Sequence, residues 1–108
     1  MSLRIEQQGQ ISRAILDGEL TIYSATDVKD ALMGELERCQ EMEIDLSGVE
    51  EVDTAGFQVL ILAKREAAKA LKTLRMVAHS PATLEVLELL DMSAYFGDAL
   101  PVKENWAA

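Results

Sequence analysis

Two short extended stretches open the chain, Leu3 to Gln8 and Ile11 to about Leu16, with Gly9-Gln10 between them as a hairpin signal. Asp17-Gly18-Glu19 reads as a bulge or turn before Leu20-Thr21-Ile22. A helix is predicted from about Ala25 to Cys39, with Val28, Ala31, Leu32, Leu36 and Cys39 along one side. Ser24 followed by Asp27 resembles a capping box, and Gly34 weakens this helix by roughly 1 kcal/mol relative to Ala without ending it. Met42 to Leu46 is an apolar strand, and Ser47-Gly48 carries turn chemistry. From Asp53 to about Lys72 the residues Phe57, Leu60, Ile61, Ala67, Ala68 and Leu71 recur at about 3.6 residues, the helical period.

Leu74 to Ala78 is the next predicted strand, and Ser80-Pro81 opens a helix with a polar cap and Pro in the first turn. Its apolar positions are Leu84, Val86, Leu87, Leu90 and Met92. After Gly97, Ala99 to Val102 is predicted as an edge strand, where Pro101 is tolerable. The order β-β-α-β-α-β-α-β predicts an α/β fold. A mixed central sheet of four to five strands carries an N-terminal hairpin, parallel βαβ units and helices packed against it. One domain is expected over residues 1–108, with a core from about 3 to 102 and a loose tail at 103–108. In successive parallel units the strand-to-helix loops share one rim, so Tyr23-Ser24, Asp53-Thr54 and His79-Ser80 are expected on one edge.

Composition narrows the function. Apolar residues make up 49% and charged residues 27%, as in a globular protein. A net charge of −9 argues against generic attraction to nucleic acid or an anionic lipid surface. It leaves open whether the acidity maintains solubility or docks on a basic partner. No apolar run approaches the ~20 residues of a membrane span, so no membrane insertion is expected. The first residues lack the features of a secretory signal, and Cys39 stands alone, which suits a reducing compartment. A cytoplasmic location follows as the expectation.

Asp53 is placed as an N-cap, and Thr54 sits at the first helical position with its hydroxyl on the loop rim. Backbone N–H groups and the helix dipole favour an added anion there, which suggests a modification switch more than a nucleophile. The competing reading is a hydroxyl that only caps N–H groups, with Asp53 either purely a cap or also orienting the Thr54 hydroxyl or a kinase-bound metal. Gly56 reads equally as a close-approach residue or a small packing residue. His79 has no Ser or Cys constellation to serve as a base, and Cys39 reads as a core residue. Lys64, Arg65, Lys69, Lys72 and Arg75 form one basic cluster, read as a solvated face balancing nearby acids in preference to an anion site. Trp106 is undecided between core and partner. Metal-ligand spacing and a Gly-rich phosphate loop are absent from the sequence, and Glu50-Glu51 lies in a poor setting for acid–base work. No enzyme, metal or cofactor is expected.

Gly18-Glu19-Leu20, Ile44-Asp45-Leu46-Ser47-Gly48-Val49 and Asp53-Thr54-Ala55-Gly56-Phe57, followed by a helix, a strand and a Ser-Pro-led helix, together resemble a STAS domain. This is the fold of bacterial anti-sigma-factor antagonists, and the resemblance spans about Leu3 to Val102. It implies a protein-interaction switch whose phosphoacceptor is Thr54 and whose partner is a kinase-like anti-sigma factor or related signalling protein. The implied contacts are Tyr23, Ser24, Asp53, Ala55, Gly56, Phe57, Gln58 and Ser80. The Thr-Ala-Gly form also resembles chemotaxis-associated STAS proteins. It resembles as well the cytoplasmic STAS subunit that supports the ATPase of lipid-transport ABC systems.

Overall fold

The structure, a computed structural model, describes residues 1–89; the positions expected for Leu90, Met92, the 99–102 strand and Trp106 lie outside the described residues. Its elements are β1 (Ser2–Gln8), β2 (Ile11–Leu20), α1 (Ala25–Arg38), β3 (Glu41–Val52), α2 (Thr54–Lys69), β4 (Thr73–Val77) and α3 (Pro81–Leu89). The strands form one sheet in the order β1-β2-β3-β4. β1 and β2 are antiparallel across a two-residue turn, in which Gly9 takes the first central position at φ +65°, the pattern of a type II′ hairpin. β2–α1–β3 and β3–α2–β4 are the two parallel crossover units.

Met42, Ile44 and Leu46 of β3 alternate with Glu41, Glu43 and Asp45, so the first set enters the core and the second lines the opposite face. There, Arg13 bridges Glu43 and Asp45 at 2.9 and 2.8 Å, and Arg75 bridges Glu43 and Glu41 at 2.7 and 2.9 Å. Of the expected basic cluster, Lys64, Arg65 and Lys72 line one shallow cleft, whereas Arg75 is drawn away. Arg75 belongs to this ladder, while the ammonium groups of Lys64 and Lys72 donate to the carbonyls of Leu74 and Leu36.

Three local expectations are corrected. Ser47-Gly48 does not turn the chain; it lies inside β3, which follows β2 as far as Val52. The extra length is absorbed by two register shifts, between Ile15/Asp17 and Gly18/Glu19. Gly18 sits at φ +106°, the conformation that favours glycine, whereas a Cβ at Gly48 would meet the side-chain carboxylate of Asp17, which would have to turn aside. The Ser47 turn chemistry survives in miniature, since its N–H and hydroxyl both donate to Asp45 Oδ1, at 2.9 and 2.7 Å.

The second correction concerns helix phase. Ala31, Ala68 and Leu71 are exposed, whereas Val59 and Ala63 of α2 and Glu35 of α1 are buried. The third concerns Ser24, whose hydroxyl makes no cap bond to α1. It donates instead to the Glu19 carbonyl at 2.9 Å and accepts from the Thr21 N–H at 3.1 Å, folding its own loop.

Candidate functional site

β3 delivers Asp53 in extended conformation to the start of α2, and its carboxylate does two jobs. Oδ1 accepts the Gly56 N–H at 2.8 Å, the expected N-cap bond. Oδ2 accepts the Ile22 N–H at 2.9 Å, from the loop between β2 and α1. The Asp53 N–H in turn donates to the Leu20 carbonyl at 3.3 Å. Two loops far apart in sequence are thus tied by one residue. The Gly56 N–H first, and the Ile22 N–H next, hold the Asp53 carboxyl below its ordinary range.

Beneath this tie α2 comes very close to the sheet. A Cβ at Gly56 would stand 2.0 Å from the Leu20 carbonyl oxygen, which decides between the two sequence readings in favour of close approach. Gly56 and Phe57 are buried, so neither presents a side chain to a partner. They support the rim from below.

Thr54 is exposed as the first residue of α2, with exposed Gln58 one turn on and half-buried Ala55 between them. Across the Asp53 tie, Ile22 is 66% and Tyr23 96% exposed at the loop tip, and Ser24 is half-buried behind them. The sequence reading did not include Ile22 in the rim and left it in the stretch Leu20-Thr21-Ile22 before the first helix. Its signal was two large apolar residues in a loop with nothing adjacent to bury them.

Ser80 stands apart from this group. β4 ends at Val77 near its pairing with Asp45, whereas β3 continues to Val52, roughly 20 Å farther at ~3.3 Å per residue. The loop after β4 therefore meets the middle of β3, and Ser80 and Pro81 share a cleft with Asp17 and Ser47 to Glu50. Ser80 is 3% exposed and accepts the Thr83 N–H at 3.2 Å, which makes it the cap of α3 and removes it from any docking rim. His79 lines an apolar cavity with Leu46, Phe57 and Met76.

A groove between α1 and α2 continues from the rim, lined by Lys29, Ala55, Gln58, Ile61, Leu62 and Arg65. Among the described residues, no group of His, Cys, Asp and Glu is arranged to hold a metal ion, and no helix is long and apolar enough to cross a membrane.

The family profile described as "Mlab, STAS domain" matches residues 3–100. The chain belongs to the STAS-domain family. No curated protein sequence matches it. Among solved structures, this STAS domain superposes on an anti-sigma factor antagonist from Mycobacterium paratuberculosis with a TM-score of 0.82 at 20% identity, covering 98% of this chain and 91% of that one. A variant of RsbS from Moorella thermoacetica gives 0.74 at 20% identity, covering 97% and 90%. The phosphorylated form of SpoIIAA, a Bacillus cell-fate determinant, gives 0.70 at 15% identity, covering 98% and 96%. At these identities the likeness establishes the STAS fold.

Proposed function

We propose that this STAS domain is a non-enzymatic protein-interaction switch, with Thr54 as phosphoacceptor and the Ile22–Ser24 loop, Thr54, Ala55 and Gln58 as the docking rim. Its partner on this reading is a kinase-like anti-sigma factor or an equivalent signalling protein in the cytoplasm. The single observation that carries it is the position of Thr54, exposed on a helix start locked to a loop bearing Ile22 and Tyr23. A phosphate there adds about −1.5 to −2 charges. Asp53 already occupies the Gly56 N–H that would receive an anion, so the added charge is directed outward, toward whatever docks. Binding to the unmodified rim and release on phosphorylation follow from that change of charge and bulk.

Phosphate incorporation in an extract of the source cell tests the reading. Thr54→Ala abolishes labelling, and Thr54→Glu weakens capture of the partner. Labelling that persists in Thr54→Ala removes Thr54 from the mechanism.

A second reading is a constitutive subunit supporting an ABC ATPase. The half-buried Ile61 and Leu62 in the α1–α2 groove favour it, because an apolar seat suits stable docking. It expects co-purification with a nucleotide-binding subunit that is indifferent to kinase treatment.

A further inference from the structure

β1 is an edge strand, and among the described residues its outer side has no partner. It lacks two of the usual protections, since it runs seven residues without proline and its register with β2 is unbroken, and its charges are one of each sign, Arg4 and Glu6. We infer that β1 pairs antiparallel with β1 of a second copy of this chain, joining two sheets into one across a twofold axis at Ile5.

The hairpin fixes which backbone groups are available. Gln8 and Ile11 close the two-residue turn as a hydrogen-bonded pair, so Gln8, Glu6, Arg4 and Ser2 direct their N–H and C=O groups to β2. Leu3, Ile5 and Gln7 direct theirs outward. A twofold pairing centred on Ile5 matches Ile5 with Ile5 and Leu3 with Gln7, and every outward group finds a partner.

Side-chain charge then selects this register from its neighbours. Centred on Ile5, Arg4 of each copy stands opposite Glu6 of the other, at non-hydrogen-bonded positions where cross-strand side chains come closest. A shift of the axis by one residue toward the N-terminus sets Arg4 against Arg4, and a shift toward the C-terminus sets Glu6 against Glu6. Both are repulsive. Shifts by half a residue place the core-facing side chains of one copy on the outer face of the other. Within one chain Arg4 is only loosely held, at 3.7 Å from Glu6 and 3.8 Å from Asp17, with more than half of its side chain exposed. Pairing also brings the half-buried Leu3 and Ile5 of both copies together on the helix side of the joined sheet.

Sedimentation velocity on the full chain from low to high micromolar concentration tests this. The wild type is expected to reach twice its 11.9 kDa mass. Arg4→Glu and Glu6→Arg each set like charges face to face and each stay monomeric alone. Mixing the two variants restores opposite charges at all four positions, and a heterodimer forms. Circular dichroism of each variant matches the wild type, because both side chains are exposed. A wild type that stays monomeric throughout, single variants that dimerise as the wild type does, or a mixture that fails to associate each overturns the proposal. None of these outcomes bears on Thr54.

Discussion

Gly56 presents its bare Cα to the Leu20 carbonyl, and a Cβ there would lie 2.0 Å from that oxygen and 2.7 Å from its carbon. Helix propensity alone would favour alanine at this position by about 1 kcal/mol. The contact is with backbone, which cannot rotate away, so the clash prevails. Gly56→Ala is expected to destabilise the fold by roughly 1–3 kcal/mol, the range of an overpacked core. Urea unfolding followed by circular dichroism measures it, and a midpoint equal to or above the wild type contradicts the close approach.

Glu35 gives the fold an acid-sensitive point. The Ser12 hydroxyl, 0% exposed, donates to Glu35 Oε2 at 2.7 Å; Gln7 Nε2 donates to the same oxygen at 3.2 Å, and Arg38 to Oε1 at 3.1 Å. The Ser12 bond lowers the Glu35 pKa, burial opposes it, and Arg38 adds to the lowering. In acid the unfolded chain therefore takes up a proton before the folded one does. The stabilisation is complete above the ordinary glutamate range and is lost as pH falls through the lowered folded value. Ser12→Ala leaves the buried carboxylate short of a donor and is expected to cost roughly 1–3 kcal/mol at neutral pH. Glu35→Gln flattens the acid limb of the stability curve. A limb unchanged in that variant would assign the acid sensitivity elsewhere.

Features set by short-range rules were legible in the sequence. Gly9-Gln10 closes the hairpin, Asp53 caps α2 and Ser80 caps α3, since each needs only neighbouring residues to form its bonds. What escaped depends on partners distant in the chain. Glu35 is buried on a helix because Ser12 and Gln7 reach it from the hairpin. β3 runs through Ser47-Gly48 because the β2 ladder continues alongside and two bulges absorb the mismatch. At the candidate site Thr54 and Asp53 were visible, but the bond from the Ile22 N–H to Asp53 spans 31 residues and has no local signature. Ser80 lies on the expected side of the sheet but is set back from Thr54, because topology gives the side while strand length sets the distance along it.

Leu71 ends α2 at φ +58°, where an L side chain is strained. The Lys72 N–H reaches the Ala67 carbonyl and the Leu71 N–H the Ala68 carbonyl, the Schellman pattern, whose left-handed residue is usually glycine. With Leu71 88% exposed, little packing is lost on truncation. Leu71→Gly is expected to stabilise the protein by about 0.5–1 kcal/mol, after the greater freedom of glycine in the unfolded chain is set against the relieved strain. A higher thermal midpoint checks it. A lower one would mean that the freedom glycine gains in the unfolded chain outweighs the relieved strain.

The tie between Asp53 and Ile22 also predicts how far a charge at Thr54 is felt. In Thr54→Glu the new carboxylate adjoins Asp53, whose two oxygens hold Gly56 and Ile22. Repulsion acts first on those two bonds and travels no farther than the loop they fasten, because Leu20 and Phe57 on either side are buried in the core. Amide shifts and faster hydrogen exchange are expected at Ile22 to Ser24 and Thr54 to Gln58, with β1, β4 and the C-terminal half of α2 unmoved. Asp53→Ala should release the same two segments without any added charge, so matching exchange patterns in the two variants would trace the response to the carboxylate. Changes that reach Thr73–Val77 in Thr54→Glu would instead mean that the sheet responds, and the rim would cease to be a local switch.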